Sequence, residues 1–404
     1  MSNRIEIKND LRPAYYDDFH CLAAGCRYSC CNGWRVQFSK KEYLALKRQK
    51  GGEEFNQRLE HALRRIRKGT VTDERYGEFD MSSGSCPLLQ EDCLCSLQVE
   101  KGHKALPRVC RVFPRTAAYM PSGYLERSLS PACEGVLELL WNLPEGVDFR
   151  SDPLPREEWR DINIRDDQPL AVFFPEIREW CVDMLQDRRF PLAKRILLMG
   201  IALKELADGE EDAAAWLLRA RVLPEQGEDL LLQTDDAVLS MRLINHLRTI
   251  MLLQGDRDYF TSIPDELIAG IGLESIPGTD QTSVSLELYQ KARARYEERF
   301  GERAYFMENL MVALFFYLCL PHLDSREELW KGYVNFCNMY SFYRFLAVMS
   351  CREGAAGNQA ELFRLLVFAG HRLLHNGVRQ SSLRDELFQN DSASLAHMAI
   401  LLGE

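Results

Sequence analysis

Apolar positions recur every three to four residues along most of the last two thirds of the chain and over only short stretches of the first third. Ile177 to Leu185, Leu192 to Leu206, Ala213 to Arg221, Asp229 to Leu253, Leu286 to Phe300, Tyr305 to Leu320, Glu327 to Met349, Ala360 to Leu374 and Ser394 to Leu402 carry this helical period. No strand–helix alternation and no fixed repeat interrupts them. Upstream, two shorter helices are signalled. Ser39-Lys40-Lys41-Glu42 is a capping box, in which the Ser39 hydroxyl accepts a backbone N–H and Glu42 reaches back; its helix should end at Gly51-Gly52. Phe55, Leu59, Leu63 and Ile66 share one face of the second helix, which Gly69 stops. Residues 1–38 and about 70–134 read as loops punctuated by Gly and Pro, with Ala117 to Leu129 forming a short strand pair around Pro121-Ser122-Gly123. The most apolar run, Leu310 to Leu320, has 11 residues. A bilayer span needs about 20, so this run reads as a buried helix.

The expected fold is therefore mainly α. An irregular cysteine-rich module over residues 1–140 precedes an all-helical domain over 141–404, joined through the proline- and charge-bearing stretch Pro144 to Pro169. At 404 residues, with 46% hydrophobic and 27% charged residues, the chain has the make-up of an ordinary globular protein of two or three domains. A formal net charge of −10 argues against nucleic acid or an anionic membrane as partner. The first ten residues, Met1 to Asp10, contain no apolar segment of the kind a secretory signal needs, so the expected compartment is the cytoplasm. Thiols stay reduced there, and clustered cysteines serve as ligands more often than as disulfides. The odd total of 13 cysteines points the same way.

Nine of those cysteines precede residue 134: Cys21, Cys26, Cys30, Cys31, Cys86, Cys93, Cys95, Cys110 and Cys133. Thiolates at short spacing can bring several sulfurs onto one soft ion, and binding then supplies folding energy that a loop-rich segment lacks. Pro87, Pro107, Pro114 and Pro131 stiffen the loops that present them. Adjacent side chains on extended backbone point to opposite sides, so Cys30 and Cys31 either serve two centres or divide into one ligand and one packing residue. Eight ligands, leaving Cys93 aside, suit two four-sulfur sites or one cluster plus a zinc. His20 and His103 lie beside the cysteines as alternative nitrogen ligands. Cys181, Cys319, Cys337 and Cys351 sit in apolar helical surroundings and are expected only to pack.

In order, Cys21-x4-Cys26-x3-Cys30-Cys31-Asn32-Gly33-Trp34, Gly84-Ser85-Cys86-Pro87-Leu88-Leu89, Leu94-Cys95, Ala105-Leu106-Pro107-Arg108-Val109-Cys110-Arg111-Val112-Phe113-Pro114-Arg115 and Ser128-Leu129-Ser130-Pro131-Ala132-Cys133 resemble the flagellin lysine-N-methylase family. Its cysteine-rich region is related to a broader group of zinc- or iron-chelating proteins. The resemblance covers roughly residues 12–136 and otherwise only the plan of a helical C-terminal part. It implies ε-N-methylation of surface lysines on flagellin, S-adenosylmethionine as donor, and a four-iron four-sulfur cluster or zinc. On that carry-over the ligands are Cys21, Cys26, Cys30, Cys31, Cys86, Cys95, Cys110 and Cys133. Cys93 falls outside the pattern.

Methyl transfer from a sulfonium needs a neutral lysine amine in line with the S–CH3 bond and oxygens that steer it. Tyr15, Tyr16, Tyr28, Tyr119 and Tyr124 are candidates for the steering, although packing is the commoner use of a tyrosine. No glycine-rich turn of the usual donor-binding type is present. Nor is the Cys-x3-Cys-x2-Cys spacing of radical enzymes that cleave S-adenosylmethionine, because Cys31 follows Cys30 directly. Arg108, Arg111 and Arg115 flank Cys110 and could hold a carboxylate. Trp34 either walls a cluster from water or belongs to the core. The alternative function is a non-catalytic zinc- or iron–sulfur-binding module that docks a protein partner or transfers electrons.

Overall fold

The computed structural model describes residues 9–120, 124–152, 161–163, 170, 173–209, 212–226, 235–254, 260–275, 282–375 and 393–403. Mainly helical, it also carries strands. In the first 163 residues these are β1 (Asn9–Pro13), β2 (Gln37–Phe38), β3 (Leu63–Arg65), β4 (Gly77–Phe79), β5 (Arg115–Met120), β6 (Tyr124–Leu129), β7 (Phe149–Arg150) and β8 (Asp161–Asn163). The expected strand pair is there: β5 and β6 pair antiparallel from Arg115–Leu129 to Met120–Tyr124, and the turn residues 121–123 lie outside the described residues. The pair forms the middle of a five-stranded sheet of order β7-β1-β6-β5-β8, in which β1 lies parallel to β6 and β8 parallel to β5.

Two expectations need correcting. The helix through Phe55 runs only over Glu53–Ala62; Leu63–Arg65 is strand, because it pairs with Gly77–Phe79 instead of continuing the turn. Ile66 still buries its side chain, so the apolar spacing was real but spans a helix and a strand. The part after residue 140 is not wholly helical either, since β7, β8 and a hairpin of Glu274–Ser275 with Thr282–Ser283 lie there. These strands are two or three residues long and leave no alternating pattern to read.

The long helices sit close to their expected bounds: Phe174–Gln186, Leu192–Asp208, Ala213–Ala220, Leu286–Phe300, Tyr305–Tyr317, Arg326–Met349, Gln359–Leu373 and Leu395–Leu402. A further helix covers Asp236–Leu252, and the earlier residues 229–234 of that expected segment lie outside the described residues. The apolar run near residue 310 is buried from Phe306 to Phe316, and no helix among the described residues is long and apolar enough to cross a membrane.

One large core joins these helices to Tyr15, Phe19, Tyr28, Leu129 and Leu137 of the N-terminal part. A second, smaller core gathers Val36, Phe38, Leu46, Phe55, Leu59, Phe79 and Leu97. Charges are buried where sheet meets helix. Arg127 holds Asp10 at 2.8 Å, and Arg178 pairs with Glu126 while lying 4.2 Å from the Phe316 ring centroid. Burial pushes the Glu126 carboxyl up, and Arg178 pulls it partly back.

Gly370 shows how tightly the helix Gln359–Leu373 meets the cysteine-bearing part. A Cβ there would stand 2.6 Å from Ala132 Cα. Gly→Ala inside a helix normally gains roughly 0.5–1 kcal/mol, whereas forcing a methyl into packed backbone costs about 1–3 kcal/mol. The clash wins, so Gly370→Ala is expected to lower the denaturation midpoint. A midpoint at or above that of the parent would refute the close approach.

Candidate functional site

Cysteine placement follows the two cores. Cys86 lies inside the smaller core, with Cys31, Cys95 and Cys110 packed against it, while Cys133 packs against the larger one. All the cysteines are free thiols.

Electrostatic coupling sorts the eight candidates into two neighbourhoods. Burial raises the thiols of Cys86, Cys95 and Cys110, and each is raised further by the charge of Cys31. Burial likewise raises Cys26 and Cys133; Cys26 also feels Glu134 and Cys133, and Cys133, pushed up to about 12, feels Cys21. Cys30 faces both sets, through Cys31, Cys133 and Cys110. Its thiol donates to the Cys31 sulfur, which, with the Ser29 hydroxyl, lowers Cys31 to about 7 against the effect of burial. Cys86, Cys95 and Cys110 thus lie around Cys31, Cys21 and Cys26 lie around Cys133, and Cys30 adjoins both neighbourhoods. Exposed Cys93 belongs to neither, on a turn with φ of 63°.

Short helices present several of these sulfurs. Cys95 caps Ser96–Lys101, Cys133 caps Glu134–Trp141, and Cys110 lies within Arg108–Val112. Amides at a helix start favour a thiolate, and the backbone N–H groups of Gly135 and Val136 partly offset the burial of Cys133.

Two carboxylates hold the loops in place. Glu134 is buried and accepts the backbone N–H groups of Arg27 at 2.6 Å and Tyr28 at 3.1 Å, the Arg27 guanidinium, and the Cys26 thiol at 3.5 Å. Glu42 closes the expected capping box with Ser39 and also accepts the Arg108 N–H at 2.6 Å. Burial alone would raise Glu42, but those hydrogen bonds hold it below the usual carboxylate range. The carboxylate beside Cys110 thus comes from the chain itself. Arg111 reaches the Lys104 carbonyl at 3.4 Å, and Arg115 the Phe19 carbonyl at 3.1 Å.

Trp34 donates its indole N–H to the Cys30 carbonyl and stacks on His375 at 4.4 Å. His371, buried in the helix Gln359–Leu373, hydrogen-bonds the Asn32 carbonyl at 3.1 Å; burial, the largest influence, lowers it to about 4. Sequence reasoning missed Glu134, His371 and His375. The spacing His371-x3-His375 was the available signal: His371 ends up in the last turn of the helix and His375 just past it, with ring centroids 5.7 Å apart. The histidines that were singled out stand apart: His20 is exposed with its ring 2.9 Å from the Asp18 carbonyl, and His103 is exposed on a short turn. Tyr15 and Tyr16 are buried in the core, Tyr28 donates to the Ala360 carbonyl at 2.8 Å, Tyr119 is half-buried in β5, and Tyr124 starts β6. The turn after β1 is Ala14–Tyr16, with no glycine. Cys181, Cys319, Cys337 and Cys351 are buried among helices, as expected of packing residues.

The donor set suits a soft cation. Burial and neighbouring thiols raise Cys26, Cys30, Cys86, Cys95, Cys110 and Cys133, and beside them the Asn32 Oδ1 is buried without a hydrogen-bond partner among the described residues. The side chains do not close on a point: among the described residues, no three His, Cys, Asp or Glu groups stand near enough together to hold an ion.

Comparison with known proteins adds to this geometry. The family model described as FliB lysine N-methylase C-terminal domain matches residues 178–401. The chain is 28% identical over 284 residues to the lysine-N-methylase of Salmonella choleraesuis (strain SC-B67), and 27% identical over 284 residues to that of Salmonella typhimurium (strain LT2). In both cases the match covers 62% of this chain and 61% of the relative, so the chain spans about six tenths of the length of these relatives. It is also 32% identical over 145 residues to the flagellar biosynthetic protein FliU of Salmonella muenchen, covering 33% of this chain and 78% of that one. No solved structure matches. With more than half of its length matched by the model, the chain belongs to the FliB lysine N-methylase family, through that family's C-terminal domain.

Proposed function

We propose that the protein is a protein-lysine N-methyltransferase that methylates surface lysines of flagellin with S-adenosylmethionine as donor. The observation that carries this reading is the family match over residues 178–401, supported by relatives named lysine-N-methylase and by one named a flagellar biosynthetic protein. In such a transfer the neutral lysine nitrogen attacks the methyl carbon as the C–S bond breaks. The sulfur leaves as a neutral thioether and the amine proton passes to solvent or a nearby base. We further propose that Cys31, Cys86, Cys95 and Cys110, and separately Cys21, Cys26, Cys30 and Cys133, hold zinc or a four-iron four-sulfur cluster. A bound ion there would staple the loops around the smaller core and supply folding energy.

Incubating flagellin with the protein and labelled S-adenosylmethionine under reducing, anoxic conditions should give mass increments of one methyl group on lysines. No transfer would overturn the methylase reading. The spectrum of protein purified without oxygen tests the metal. Absorbance near roughly 400 nm with iron and acid-labile sulfide indicates a cluster, and a colourless protein with stoichiometric zinc indicates zinc. Absence of both metals would refute the ligand proposal.

A further inference from the structure

The three-stranded sheet of order β2-β4-β3 ends on β3, and β4 is the one strand that pairs with β3 among the described residues. The Asp80 N–H donates to the Ala62 carbonyl at 2.8 Å, and the Ile66 N–H to the Tyr76 carbonyl at 3.0 Å. Bonded positions alternate in an antiparallel pair. Ala62, Arg64 and Ile66 therefore turn their backbone groups toward β4, and Leu63 and Arg65 turn theirs outward. The Leu63 N–H is used by the Leu59 carbonyl of the preceding helix. Arg65 is left presenting an amide and a carbonyl on the open side of the sheet, a template for another strand. At the opposite edge, β2 has the helix Arg108–Val112 packed against it.

The side chains of this edge are basic. Four of the five residues 64–68, namely Arg64, Arg65, Arg67 and Lys68, are cationic and exposed, in a chain whose net charge is −10. Ile66 alone among them is buried. Arg64 pairs with Asp80 at 2.9 Å, and Arg65 lies 4.9 Å from the Tyr76 ring centroid. Arg65, Arg67 and Lys68 have no carboxylate at ion-pair distance among the described residues. Carboxylates on the adjoining turn and strand are engaged elsewhere: Glu78 accepts from Gln37 at 3.1 Å, and Asp73 pairs with Lys40 at 3.5 Å.

We propose that β3 is a docking edge for an acidic, extended segment of a partner protein, which adds to the sheet as a further strand. Backbone pairing at Arg65 supplies the strand contact, and acidic side chains of the partner meet Arg65, Arg67 and Lys68. The same charges select the occupant. A second copy of this edge would set like charges opposite one another, which is destabilising, so the edge rejects its own kind. A strand of opposite charge gains both the backbone pairing and the Coulomb attraction. The proposal does not rest on the methylase reading.

The test is fluorescence anisotropy of a labelled peptide of alternating Glu and Val, titrated with the full chain. A peptide of alternating Lys and Val and a single-stranded oligonucleotide run in parallel. The acidic peptide should bind saturably, and more weakly as ionic strength rises. Arg67→Glu/Lys68→Glu, at two exposed positions, should keep the circular dichroism of the parent and bind at least about tenfold more weakly. Methylating backbone nitrogens of the peptide should cause a comparable loss at unchanged charge, which separates strand addition from simple charge attraction. Absence of binding, unchanged affinity in the folded double variant, or equal affinity for the methylated or the Lys peptide overturns the proposal. Binding of the oligonucleotide in place of the peptide, with the same dependence on Arg67 and Lys68, overturns it in favour of nucleic acid.

Discussion

Glu134→Ala is expected to destabilise the protein by about 3–5 kcal/mol and to expose the thiols of Cys26, Cys30 and Cys133. Most of that cost does not come from the ion pair. Arg27 is 41% exposed, and such a pair contributes about 1 kcal/mol or less. The larger part comes from the backbone N–H groups of Arg27 and Tyr28, left without an acceptor at about 1–3 kcal/mol each. Because Glu134 follows Cys133 at the start of its helix, the same carboxylate fixes the loop after Cys26 relative to Cys133. Glu134→Gln keeps one carboxamide oxygen as acceptor and should fall between parent and Ala variant. Denaturant unfolding measures the stability and the rate of thiol labelling measures the exposure. An Ala variant within 1 kcal/mol of the parent and labelled at its rate would show that the loop is held by something else.

Replacing single cysteines should separate the two neighbourhoods. Cys110→Ala is expected to abolish metal at the set of Cys31, Cys86, Cys95 and Cys110, and with it most soluble expression, because structural zinc binding supplies on the order of 10 kcal/mol of folding free energy. Cys133→Ala should remove metal from the other set and leave the first loaded. Cys93→Ser should leave metal content unchanged, since Cys93 is exposed on a turn with φ of 63°. Cys319→Ala, in the helical core, should change stability by about 1 kcal/mol or less with full metal content. Elemental analysis of anoxically purified protein reads each outcome. Equal metal content in the Cys110→Ala and Cys93→Ser proteins would contradict the grouping.

The helical two thirds of the molecule were legible because apolar residues there recur with the turn. Leu192 to Leu206, for example, was readable from its apolar face, and the helix found covers Leu192–Asp208. The capping box at Ser39 and Glu42 was equally legible, being contained in four consecutive residues. What could not be read is the second partner of Glu42, the Arg108 N–H, because it lies 66 residues away. Leu63–Arg65 misled for a related reason: its apolar spacing continues a helix, and only pairing with Gly77–Phe79 makes it a strand. Glu134 looked like an ordinary acidic residue at a helix start, and nothing near it in sequence announces the amides of Arg27 and Tyr28.

Local order alone determined which residues could form helices, which segments pair as β5 and β6, and that nine thiols crowd into the opening third, since these depend on neighbours within a few positions. Three-dimensional packing decided which thiols face one another, which carboxylates secure their loops, and where the helix Gln359–Leu373 meets the cysteine-bearing part. Such contacts join positions 50 to more than 300 residues apart, and a chain records no distance of that kind until its apolar faces have chosen their partners.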